Sequence, residues 1–86
     1  MHEIEYTTSA IKSLRRMPRN TAEIIRGKII ALAADPHGSH PNAMKLQGRD
    51  GYRLRVGDWR VIYEIDDRRV VVLVLDIKPR GGAYRP

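Results

Sequence analysis

The period of apolar and polar positions changes several times along this chain, and each change marks an element. "HEIEYT" sets Ile4 and Tyr6 against Glu3 and Glu5, a period of two that predicts a short, half-buried strand. In "TTSAIKSLRRMP" the apolar residues Ile11, Leu14 and Met17 recur at helical spacing, Thr7, Thr8 or Ser9 is placed to cap the start, and Pro18 limits the end. "NTAEIIRGKIIALAADP" then lines up Ala22, Ile25, Ile29, Leu32 and Ala33 on one stripe. Asn20, three residues before Glu23, has the spacing of a capping box, so a longer helix is predicted to about Asp35. The tight connection around Pro18 predicts an antiparallel helical hairpin packed on a sheet. Gly27 lies off the apolar stripe and reads as a surface position.

"DPHGSHPNAMKLQGRDG" has no sustained period and predicts a long loop, with a brief extended stretch around Met44 to Leu46. Two strands, "YRLRV" and "WRVIYEI", flank Gly57-Asp58, and glycine at the first turn position suits a type II′ hairpin. "RVVVLVLDI", entered by a turn at Asp66 to Arg68, is a continuous aliphatic run that predicts a central strand buried on both faces. The expected architecture is α+β, one domain over residues 1–86, with no internal repeat or linker.

The hairpin turn fixes which residues face each other. Counting outward pairs Val56 with Trp59, Arg55 with Arg60, Leu54 with Val61 and Arg53 with Ile62. Arg55 and Arg60 then form a close non-hydrogen-bonded pair, Cα atoms about 4.5 Å apart, and Arg53 joins them diagonally. Tyr52, Leu54, Val56, Trp59, Val61, Tyr63 and Ile65 take the opposite face as core. Opposed like charges at 4 Å cost roughly 1 kcal/mol in water and about 4 kcal/mol at an effective dielectric near 20. Glu64 shares the face, but one carboxylate does not neutralise three guanidinium groups. Guanidinium forks grip phosphate oxygens bidentately and keep their charge at physiological pH, so the cluster is expected to be a phosphate site. Arg80 is expected near Trp59 and Arg60 at the end of the last strand. Gly81 and Gly82 permit a path that folds Tyr84 over the same surface, where a phenol stacks on a base.

Composition narrows the function. Sixteen Lys and Arg against ten Asp and Glu give a net charge of +6, which favours a polyanionic partner. Cysteine is absent, so disulfides, thiolate metal ligands and thiol catalysis are excluded. His37 and His40 lack a third ligand and read as loop histidines, and no metal or cofactor is expected. No apolar run is long enough to span a bilayer, and the N-terminal residues do not look like a signal peptide, so the expectation is a cytoplasmic protein without a membrane partner.

The run "KLQGRDGYRLRVGDWRVIYEID", followed by an apolar strand and "IKPRGGAY", resembles the RelE/ParE toxin superfamily, and within it the RelE-like mRNA interferases. The resemblance covers most of the chain. It implies a helical hairpin against a curved, mainly antiparallel sheet whose concave face engages mRNA in the ribosomal A site. By position, Arg53 and Arg55 match two basic catalytic residues, Arg60 the phosphate-stabilising arginine, and Arg80 and Tyr84 the C-terminal arginine and tyrosine. RelE carries lysines at the first two of these positions.

The implied protein is the toxin of a type II toxin–antitoxin system, a ribosome-dependent, metal-independent endoribonuclease that inhibits translation. Its partners would be mRNA, the ribosome and a cognate antitoxin in a hetero-oligomer. A ribose 2′-hydroxyl would attack its own 3′ phosphate, giving a 2′,3′-cyclic phosphate and a 5′-hydroxyl. The general base stays open between Tyr84, Glu64 and a ribosomal group. The alternatives are a ParE-like inhibitor of DNA gyrase and a non-catalytic toxin relic that binds antitoxin.

Overall fold

A computed structural model describes residues 1–79. The elements follow in the order β1 (Glu3–Tyr6), α1 (Thr8–Arg16), α2 (Arg19–Ala34), β2 (Ala43–Lys45), β3 (Tyr52–Val56), β4 (Trp59–Asp66) and β5 (Val71–Pro79). The strands form one five-stranded sheet in the order β1-β5-β4-β3-β2. β1 runs parallel to β5, and the other neighbours are antiparallel. The α+β architecture and the helical hairpin therefore agree with the sequence expectation.

The start of α1 shows how local chemistry sets packing. The Thr7 hydroxyl accepts from the Ala10 amide at 3.2 Å and donates to the Leu75 carbonyl, while the Thr7 amide donates to the Val74 carbonyl at 3.0 Å. Thr7 is thus the N-cap, held to β5 through both its hydroxyl and its amide. That entry turns Ala10 inward beside Leu14 and Met17 and leaves Ile11 exposed, so the stripe predicted through Ile11 is rotated by one residue.

Pro18 disfavours helical backbone at Met17, which is extended and closes α1. The same proline is the N-cap of α2, whose first bond runs from the Ala22 amide to the Pro18 carbonyl. Asn20 consequently lies inside the first turn, and the expected capping box with Glu23 does not form. The α2 stripe of Ala22, Ile25, Ile29, Leu32 and Ala33 is buried as predicted, in one cluster with Leu54, Val56, Val61, Tyr63, Val72, Val74 and Ile77. Both helices cover the same side of the sheet. β5 is accordingly buried on that side and only half-buried at Leu73 and Leu75 on the other, which corrects the expectation of a strand enclosed on both faces. Tyr63 stacks on Tyr52 with ring centroids 5.4 Å apart, and burial pushes its phenol up to about 12, so it stays neutral in the core.

The turn between β4 and β5 is organised by acids. The Asp66 carboxylate accepts from the Arg68 and Arg69 amides, both at 3.1 Å. Asp67 meets His2 Nε2 at 3.0 Å and His37 Nε2 at 2.8 Å, tying the turn to the N-terminal residues and to the loop after α2. Hydrogen bonds with His2 and then His37 hold its carboxyl below the usual aspartate range. Because that value is lowered on folding, the stabilisation is present above the unfolded aspartate range and is lost as pH falls through the lowered value. His40 Nε2 bonds to the Asp35 carbonyl at 2.6 Å.

Two positions carry avoidable backbone cost. Val70 sits at φ 57, a left-handed conformation that is an outlier for a β-branched residue. Val70→Asn should raise stability by about 1 kcal/mol, or roughly 4–8 °C in Tm, because asparagine tolerates that region. Gly27 lies in α2 with open space where a Cβ would be. Gly27→Ala should add about 0.8 kcal/mol through helix propensity. Thermal unfolding followed by circular dichroism checks both, and an unchanged or lower Tm contradicts either.

Candidate active site

The β3–β4 hairpin has the predicted register: Val56 opposite Trp59, Arg55 opposite Arg60, Leu54 opposite Val61 and Arg53 opposite Ile62. Gly57 takes φ +58 while Asp58 does not take a positive φ, as a II′ turn requires. The Arg55 amide donates to the Asn42 carbonyl at 2.9 Å, on the β2 side. Its backbone therefore turns away from β4, and Arg55 and Arg60 form a non-hydrogen-bonded pair, the closer of the two antiparallel spacings.

All three arginines lie on the sheet face opposite the helices, since Leu54, Val56, Val61 and Tyr63 occupy the core face. Glu64 lies on the same outer face, one step beyond Ile62. Among the described residues no carboxylate forms an ion pair with Arg53 or Arg55. Arg53 instead sets a guanidinium nitrogen 3.3 Å from the Met44 sulfur, its cross-strand partner on β2. Met44 and Arg53 help line two open depressions. One, of about 340 Å³, also involves Lys45, Leu46, Gln47 and Arg60; the other, of about 120 Å³, involves Pro41, Asn42 and Arg55. The surface is a shallow cationic trough with a soft apolar rim, shaped for an extended anionic chain rather than a small enclosed ligand.

The end of β5 arrives beside this trough, with Trp59 opposite Pro79 and Arg60 opposite Lys78. Arg80 and Tyr84 lie outside the described residues. Sequence reasoning missed Lys78, which the register sets next to Arg60 on the outer face, and Asp76, whose carboxylate stands 3.7 Å from the Lys78 ammonium. A readable signal was present. Strict alternation from Val72 and Val74 would point Asp76 and Lys78 into the core and Ile77 out, a chemical mismatch that implies an extra residue in the strand.

With this geometry in view, the comparisons fall into one class. The fold is that of small toxins of toxin–antitoxin systems. Residues 4–84 match the family described as "ParE toxin of type II toxin-antitoxin system, parDE", and the chain belongs to that family within the RelE/ParE superfamily. It is 28% identical over 86 residues to Toxin RelG of Mycobacterium tuberculosis, covering 98% of this chain and 97% of that protein. Toxin RelE of the same organism is 30% identical over 89 residues, with 98% and 87% covered. An archaeal RelE–RelB complex from Pyrococcus horikoshii contains a chain that superposes with a TM-score of 0.80 at 28% identity, over 93% of this chain and 96% of that one. The toxin–antitoxin complex RelBE of E. coli gives a TM-score of 0.78 at 23% identity, with 92% and 96% covered, a likeness of fold.

Proposed function

We propose that this toxin is an endoribonuclease that cuts mRNA on the ribosome and so blocks translation in the cytoplasm. The observation that carries this reading is the hairpin register, which gathers Arg53, Arg55 and Arg60 on one solvent-facing side of the sheet. Attack by a 2′-hydroxyl on the adjacent phosphate passes through a crowded pentacovalent state with added negative charge. Fixed cations stabilise that state more than the ground state, which is what catalysis requires. Arg55 and Arg60 hold the phosphoryl oxygens, Arg53 and Arg80 hold the backbone, and Tyr84 orients a base. Glu64, on the same face, is one candidate for the base that accepts the 2′ proton; Tyr84 and a ribosomal group are the others.

The open trough lacks the walls that would orient a free RNA strand, so the ribosome supplies orientation. The partner that restrains the toxin is an antitoxin, in keeping with similar chains that are found in RelE–RelB complexes. Inducing the protein and mapping mRNA 5′ ends tests the reading: new 5′-hydroxyl ends within translated regions are expected. The ParE description of the matching family favours a second reading, inhibition of DNA gyrase. Intact mRNA together with gyrase-linked DNA breaks would establish that reading and overturn the first.

A further inference from the structure

The register between β4 and β5 changes once. Tyr63 is opposite Val74, but Ile62 is opposite Asp76, so Leu75 is an extra residue and the strand bulges there. The bulge reverses the facing of everything after it. Without it Lys78 would lie opposite Trp59 on the core face; with it Lys78 lies opposite Arg60 on the outer face, and Ile77 turns into the core. Arg55, Arg60 and Lys78 thereby form a single cationic row across β3, β4 and β5. The bulge is also held in place from both sides. The Thr7 hydroxyl donates to the Leu75 carbonyl, and the Asp76 carboxylate accepts from the Ile77 amide at 2.8 Å.

We propose that Lys78 is a catalytic residue of this site, the proton donor to the leaving oxygen, a role that rests on the endoribonuclease reading above. The row contains two guanidinium groups and one ammonium. Guanidinium holds its proton at every physiological pH, so Arg55 and Arg60 supply charge but are poor proton donors, whereas an ammonium gives up a proton more readily. Attack by O2′ forms the O2′–P bond, and the electron pair of the breaking P–O5′ bond goes to O5′. O5′ takes a proton from the Lys78 ammonium, the 2′-hydroxyl proton passes to the general base of the site, and exchange with solvent then returns a proton to Lys78 and removes one from the base. Asp76, 3.7 Å from the Lys78 nitrogen, keeps the side chain over the outer face without the close contact that would tie it down.

The test measures single-turnover cleavage of mRNA on programmed ribosomes by the wild-type chain, Lys78→Ala and Lys78→Arg. Each is given two messages, one natural and one with sulfur replacing the leaving 5′-oxygen, since a thiolate departs without protonation. Both variants should be about 100-fold slower on the natural message and within about threefold of wild type on the sulfur message. Full activity of Lys78→Arg on the natural message would show that charge alone suffices and overturn the proposal, as would an equal loss on both messages. Cleavage of neither message by the wild-type chain would overturn the endoribonuclease reading and this role with it. Cleavage by wild type with no effect of either substitution would remove Lys78 alone. Matching circular dichroism spectra confirm that the variants fold.

Discussion

The double substitution Arg55→Ala with Arg60→Ala should abolish growth arrest while leaving a folded, soluble protein. The two side chains are opposite each other at a close antiparallel pair on the outer face, and neither belongs to the apolar cluster that holds the sheet to the helices. Removing one preplaced donor from a developing anion typically costs 10²–10³ in rate, about 3–4 kcal/mol of barrier. Two donors on one phosphate act as a unit, so the pair should cost more than either alone but less than the product. Fold and activity should separate in the data. Circular dichroism should match the wild type, and Tm for Arg55→Ala should not fall, because an opposed like charge has been removed. Growth arrest of wild-type strength from a soluble double variant would refute the assignment of these arginines. A variant that loses antitoxin binding as well would point to misfolding, and Arg55→Lys, which keeps the charge, then decides whether charge at this position is required.

The arginine face was legible because a two-residue glycine turn leaves only one pairing, and a period of two then assigns every side chain to a face. Leucine and valine on one side and arginine on the other agreed with that count at every step except Ile62, so Arg53, Arg55 and Arg60 fell together from the register alone. The α2 stripe was legible for the same reason. Three features escaped. Ile11 and Ala10 compete for the same helix face, and the choice was made by the bonds of Thr7 to β5, a contact 68 residues away in sequence. Asn20 had the spacing of a cap, but Pro18 ends one helix and starts the next, leaving no turn for Asn20 to cap. The Leu75 bulge lies in a strand whose aliphatic run masks its parity, so the mismatch at Asp76, Ile77 and Lys78 was its one sign in the sequence, and the Ile62 to Asp76 register places it. Local pattern determines faces within an element, whereas a slip between elements is set by packing.

A co-produced antitoxin should neutralise the growth arrest and remain bound through purification at moderate salt. The helical layer carries Lys12, Arg15, Arg16, Arg19, Arg26 and Lys28 against the single acid Glu23, so most of the net charge of +6 faces away from the sheet. Set among these cations are exposed Ile11, Ile24 and Ile30, which the core does not use. A surface with isolated isoleucines between basic groups suits an acidic amphipathic segment, whose charge speeds encounter and whose apolar residues slow dissociation. Raising salt should therefore reduce the association rate severalfold while leaving the dissociation rate nearly unchanged. Ile24→Asp should weaken the complex by about 10-fold or more, roughly 1.4 kcal/mol or above, because it removes buried apolar area and adds a charge of the partner's own sign. The same substitution should leave toxicity intact, since Ile24 is on α2 and the arginines are on the opposite side of the sheet. Surface plasmon resonance with the adjacent gene product at two salt concentrations measures both rates. A chain that is produced without harm, purifies alone and binds no neighbouring gene product would remove this partner together with the toxin's proposed action.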